Sequence, residues 1–270
     1  MAKQKTVSTG KPFYLTLLSL FSLATFVVVW QISVAPPGVE DWRIPSTLLA
    51  SPVDVVLLMI DKITNPLPDG ATLPQHAWTS FTEAFLGYIG ALLVGVPLGL
   101  AMGWFSTVRG LFRPVFELIR PIPPVAWIPL TIFWFGIGLV GKVFIIWLSG
   151  LVPCIINAYT GVRMTNPVHI QMARTYGASN WQIFRTICVP SALPMVFGAL
   201  QISLAYCWVT LVAAELLAAD QGLGFLIQVG RALGRTDLVI VGMYSVAAAG
   251  AAISIAIECV EAKLLAGIRR

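Results

Sequence analysis

From residue 13 to residue 35 the chain reads FYLTLLSLFSLATFVVVWQISVA, without one charged side chain. A helix needs about 20 apolar residues to cross the hydrocarbon core of a bilayer, and this run supplies them. Further stretches of the same kind lie at 79–105, 112–137, 142–161, 192–217 and 238–263. The third is interrupted by prolines and the fourth is short. Hydrophobic residues fill 57% of the 270 positions and charged residues only 11%. A soluble domain carries about a quarter charged residues, so a surface this apolar belongs in lipid. The sequence predicts an all-α integral membrane protein, one domain of about six transmembrane helices. A secretory signal has an apolar core of only about 7–15 residues, so the first run is read as a retained helix.

Basic residues mark the cytoplasmic side of a membrane protein. With the N-terminus inside, Lys3, Lys5, Lys11, Arg109, Arg113, Arg163, Arg174, Arg185, Lys263, Arg269 and Arg270 are all cytoplasmic. Arg43, Lys62, Lys142, Arg231 and Arg235 are left outside, together with most of the acids. Eleven against five puts both termini in the cytoplasm, and with them segment 162–191. The net charge of +5 is thus a matter of orientation among lipids, and no nucleic-acid partner is expected. The longest external stretch is 36–77. Within it Ser51-Pro52-Val53-Asp54 has the form of a helix start, an N-cap followed by proline. The helix it opens is short and amphipathic, suited to lying on the outer surface.

Chemistry is sparse. His76 and His169 fall on opposite sides of the membrane in this topology. Cys154, Cys188, Cys207 and Cys259 lack metal-ligand spacing, and there is no phosphate loop GxxxxGK[ST]. No catalytic residues, cofactor site or metal site are expected on this chain. Gly95, Gly99 and Gly103 recur every fourth residue, a spacing that lets helices approach closely in lipid. Intramembrane ionisable groups are functional candidates. Glu117 and Arg120 share a helix face and are expected to pair; Glu215 lies near the outer end of the fifth span. RPIPPVAWIPL, residues 120–130, holds four prolines. Broken backbone at membrane depth is tolerated only when buried in protein or lining a cavity, so this stretch is read as a pathway wall. The pathway candidates are Glu117, Arg120, Pro123, Pro124, Trp127, Trp208 and Glu215.

Segment 171–190, QMARTYGASNWQIFRTICVP, is the oddest part of the chain: it is basic and carries no acid. Asn166-Pro167 opens a first helix, which ends at Gly177. Ser179 with Gln182 three residues on forms a capping box for a second helix, expected to stop before Pro190. Ala173, Trp181, Phe184 and Ile187 offer apolar faces for a groove on another protein.

This segment resembles the signature loop of ABC importer permeases: Glu-Ala-Ala, three residues, Gly, nine residues, Ile-x-Leu-Pro. The corresponding residues are Gln171, Met172, Ala173, Gly177, Ile187, Val189 and Pro190. Gln171 stands in the acid's place and Met172 in that of the first alanine. ELIRPIPPVAWIPLTIFWFGIG and LVAAELLAADQGLGFLI resemble the taurine, alkanesulfonate and nitrate subfamily, taurine permeases above all. The resemblance implies a type I importer fold in the bacterial inner membrane. It implies a second copy of the permease, two ATPase subunits holding ATP and Mg, and a periplasmic or lipid-anchored solute-binding protein. It also implies an ATPase-coupling loop of Gln171, Ala173, Arg174, Gly177, Ala178, Ser179, Trp181, Phe184 and Pro190. The solute would be a small anion, a sulfonate first, with nitrate, bicarbonate or an aromatic acid as alternatives. A channel or secondary carrier independent of ATP is the competing class; carriers often show inverted repeats, and none is visible in this sequence.

Overall fold

The computed structural model of the chain describes residues 13–35 and 44–268. Among these residues eleven α-helices run in chain order. They are α1 (Phe13–Ser33), α2 (Pro52–Asp61), α3 (Leu73–Trp104), α4 (Ser106–Ile119), α5 (Ile128–Phe135) and α6 (Leu139–Arg163). There follow α7 (Pro167–Thr175), α8 (Asn180–Ile183), α9 (Val189–Ala218), α10 (Leu223–Ala232) and α11 (Thr236–Ile268). Lys3, Lys5, Lys11, Arg43, Arg269 and Arg270, which carry much of the orientation argument, lie outside the described residues.

Among the described residues four helices are long and apolar enough to cross a membrane: α3, α6, α11, and the continuous rod from Asn180 to Leu217. The expected third span is not a straight crossing. Helices α4 and α5, joined through a 3-10 turn at Pro124–Trp127, meet at 85°. The prolines explain the break, because each removes an amide donor and forces its predecessor away from helical geometry. Helix α1 has 21 residues, about 31 Å at helical rise. Backbone bonds between Ala35 and Ile44 and between Ile44 and Ser33, 2.8 and 2.9 Å, pin its end to the following segment.

At the centre α6 lies between α3 and α9. A small residue recurs on α3 at 87, 91, 95, 99 and 103, and this face is turned to α6. A Cβ built on Gly99 would meet the Ile155 carbonyl at 2.5 Å, and one on Gly103 would meet Val162 Cβ at 2.7 Å. With little hydrophobic drive between helices in lipid, close backbone approach is what holds such a pair. The glycine face is therefore taken up within the chain. Ala84, Tyr88, Ile146, Leu204, Cys207 and Leu211 complete the α3–α6–α9 core.

At the α2 end of the bundle, Ser51 Oγ accepts from the Asp54 N–H (3.2 Å) and donates to its carboxylate (2.7 Å), starting α2 as the sequence predicts. Val55 of α2 packs with Leu73, Leu223, Leu226, Leu238 and Val241. This helix caps α10 and α11 with one face while Val53, Val56, Leu57 and Ile60 stay exposed. Between the fifth and sixth predicted spans the chain forms a short helix, α10. Its opening residue Gly222 sits at φ +132, and α10 folds back against α11 and α9.

Candidate coupling loop and pathway

Segment 163–190 is built as its caps dictate. Asn166 Oδ1 accepts from the Val168 N–H at 3.0 Å, with Pro167 in the first turn of α7. The helix ends in a Schellman turn: the Gly177 N–H donates to the Arg174 carbonyl (2.9 Å) and the Ala178 N–H to that of Ala173 (3.0 Å). Gly177 stands at φ +80, where side chains other than those of Asn or Asp are strained. Ser179 and Gln182 then exchange bonds of 2.8 and 3.3 Å in a capping box that starts α8.

The second helix does not stop before Pro190. Residues Phe184–Cys188 widen into a π-turn and the helix continues through Pro190 into α9. The wider turn shifts the bonding register just ahead of a residue that has no amide hydrogen and would crowd the carbonyl four residues back. The loop tip and the span α9 thus form one rod of 38 residues.

The unit has two faces. Ile183, Phe184 and Cys188 are buried with Val162 and Ala192, and Ala173, Ala178, Ile187, Leu100 and Trp104 pack around them. Phe105 packs at a tilt against Phe184 at 5.2 Å and stacks with Trp181 at 6.5 Å. Phe184, Ile187 and Ala173 therefore anchor the loop to its own bundle instead of facing outward. The outer face carries His169, Gln171, Met172, Arg174, Tyr176, Gly177, Ser179 and Arg185 in exposed positions. Tyr176 is 87% exposed and Trp181, despite its stacking, 59%.

The polyproline elbow forms a second feature. Its cavity of about 360 Å³ is lined by Arg120, Ile122 and Pro124, by Ser149 and Asn157 of α6, and by Ile202 and Tyr206 of α9. The expected Glu117–Arg120 pair does not form. Glu117 binds Arg113 instead, one turn back on the same face of α4, at 2.7 Å. Arg120 makes no ion pair among the described residues. Pro123 and Trp127 flank the elbow without lining this cavity, and the Trp127 indole N–H is buried with no partner among the described residues.

Trp208 and Glu215 are placed elsewhere. Trp208 packs between α9 and α11, its indole N–H donating to the Val246 carbonyl at 3.3 Å. Glu215 is 1% exposed and accepts from the Ser80 hydroxyl (2.5 Å) and the Gly224 N–H (2.7 Å). Ser80 in turn accepts from the Leu223 N–H (2.8 Å), and His76 Nδ1 from the Gly222 N–H (3.0 Å). A neutral ring accepting at Nδ1 carries its proton on Nε2, which faces Asp69 at 2.5 Å. Lys62 pairs with the same Asp69, and Lys142 pairs with Glu83.

These buried pairs add to the charge map: Lys62 and Lys142, counted above on the external side, each hold a buried acid, and one of those acids is Glu83, which the sequence does not single out. A lone acid in an otherwise apolar helix was the signal available for Glu83. His76 and His169 are far apart: His76 is in the first turn of α3, and His169 lies on α7, whose Ile170 packs near Trp104 in the last turn of α3. Among the described residues no group of His, Cys, Asp and Glu is disposed to hold a metal ion.

The profile of the binding-protein-dependent transport system inner membrane component matches residues 95–270. The chain belongs to this family. It is accordingly a multi-pass permease subunit of an ABC importer, without catalysis of its own, ATP hydrolysis residing on a separate subunit. Among curated relatives of this permease is the taurine transport system permease protein TauC of Escherichia coli (strain K12). The two are 37% identical over 248 residues, covering 92% of this chain and 88% of that protein. The nitrate import permease protein NrtB of Synechocystis is 30% identical over 210 residues, covering 76% and 74%. In fold the permease is similar to a chain of the MetNI methionine ABC transporter solved in inward-facing conformations, with a TM-score of 0.54. That likeness covers 68% of this chain and 95% of the other at 21% identity.

Proposed function

We propose that this permease forms half of a pathway for a small sulfonate, taurine or an alkanesulfonate, and that the exposed face of segment 163–185 seats in a groove of a separate ATPase. A second copy completes the pathway, and a periplasmic or lipid-anchored solute-binding protein delivers solute at the far side. Both termini and the loop lie in the cytoplasm, where two ATPase subunits hold ATP and Mg. The observation that carries this reading is the two-faced loop. Its inner side is locked to α3 and α6, and its outer side presents Arg174, Tyr176, Gly177, Trp181 and Arg185 with no acid in the segment. The rod from Asn180 to Leu217 supplies the linkage, since a push at the tip is delivered along the span without a flexible joint. Alternating access follows when closure of the ATPase pair moves two such rods.

The sulfonate assignment is supported by the similarity to the taurine permease over most of both chains. Reconstituted with ATPase and solute-binding protein, the assembly is expected to hydrolyse ATP faster in the presence of taurine or ethanesulfonate than with nitrate. Stimulation by nitrate and not by sulfonates would overturn the assignment.

A further inference from the structure

We infer that the cavity at the polyproline elbow is an oxyanion-binding site on the pathway, with Arg120 as its recognition group; the inference deepens the proposed function and rests on it. The cavity lies at mid-depth. Ser149 falls in the middle of Leu139–Arg163, with Asn157 about two turns further along α6, and Ile202 and Tyr206 fall in the middle of Val189–Ala218. A lipid headgroup does not reach that level, whereas a permeating solute must pass it.

A guanidinium stays charged at any physiological pH, and holding one at membrane depth is costly unless a counter-charge or function accompanies it. The described acids nearby in sequence or depth are already engaged: Glu117 by Arg113, Glu83 by Lys142, and Glu215 by Ser80 and Gly224. Arg120 is left facing the cavity.

The other polar groups of the wall are rich in donors. Ser149 Oγ accepts from the Thr210 hydroxyl at 2.9 Å, which leaves its own proton to donate. Asn157 spends one N–H on the Pro153 carbonyl at 2.9 Å and keeps the other. Tyr206 adds a phenolic O–H, and among the described residues no carboxylate lines the cavity. Donors around a guanidinium with no ion pair among the described residues suit a sulfonate or a similar oxyanion, gripped by two parallel N–H groups. Ile122 and Ile202 suit the short carbon chain behind it.

The test is the charge preference of thiol labelling in vesicles holding the full chain. Cys154, Cys188 and Cys207 are buried and Cys259 is exposed, so Cys259→Ser gives a quiet background. Asn157→Cys and, separately, Tyr206→Cys report from the wall. Each is labelled with anionic sulfonatoethyl and cationic trimethylammonioethyl methanethiosulfonate. The anionic-to-cationic rate ratio is expected to fall by about tenfold on adding Arg120→Gln, and Arg120→Lys is expected to restore most of it. Ethanesulfonate should slow labelling only where the cation is present. A ratio indifferent to Arg120→Gln, reporters that do not react, or no protection by ethanesulfonate would each overturn the site. Labelling needs no ATPase, so ATP-independent uptake would overturn the importer reading while leaving this result standing.

Discussion

Gly177→Pro is expected to abolish ATP-driven uptake, by at least tenfold in rate, in a permease that still inserts at normal levels. The native tip needs φ +80 at this position, which proline, fixed near −65°, cannot adopt. The substitution also deletes the amide that donates to the Arg174 carbonyl, so the Schellman turn opens and α7 loses its angle to α8. Nothing lies within 4 Å of the position a Cβ would take at Gly177, so the damage comes from the backbone and stays at the tip, away from the spans. Gly177→Asn separates conformation from side-chain bulk. Asparagine tolerates left-handed geometry that costs other residues roughly 1–2 kcal/mol, and it should retain most uptake. The measurement is solute accumulation in vesicles, normalised to inserted permease. Wild-type uptake by Gly177→Pro would sink the role given to this turn.

The second large effect is on stability. Glu215 receives a hydroxyl from α3 and a backbone amide from α10, and Gly222 presses against it so closely that a Cβ there would meet its carboxyl oxygen at 2.3 Å. Removing a buried group that satisfies two donors leaves both unpaired, at about 1–3 kcal/mol each. Glu215→Ala should therefore lower stability by roughly 3 kcal/mol or more and shift detergent-solubilised permease to a clearly lower unfolding temperature. Glu215→Gln keeps one acceptor oxygen and should fall between the two. If Glu215→Ala melts with the wild type, the carboxyl group is not what joins α9 and α10 to α3.

Hydropathy revealed the long helices because it needs only one period and one length. The caps at Ser51, Asn166 and Ser179 were legible for a similar reason: each is a local contract between a side chain and amides two or three residues on. The features that escaped depend on distant parts of the chain. The prolines of 120–130 announced a break, but its 85° angle is set by how α4 and α5 pack. Pro190 looked like a stop because a π-turn is not written in any residue type. Lys62 and Lys142 could be counted as external charges but their ion pairs could not be read, since the partners are seven positions away in one case and on another helix in the other. Glu117 has an arginine within one helical turn on either side, Arg113 and Arg120, and spacing alone does not say which it binds. Arg120 was recognised as unusual, yet only the fold shows it without a partner among the described residues and beside Ser149 and Asn157.

Uptake of labelled taurine by vesicles containing this permease, with its ATPase and solute-binding protein each supplied or withheld, addresses the coupling claim most directly. Accumulation is expected only when ATPase, binding protein and ATP are all present, and background counts when any one is missing. Taurine entry through the permease alone would contradict the account.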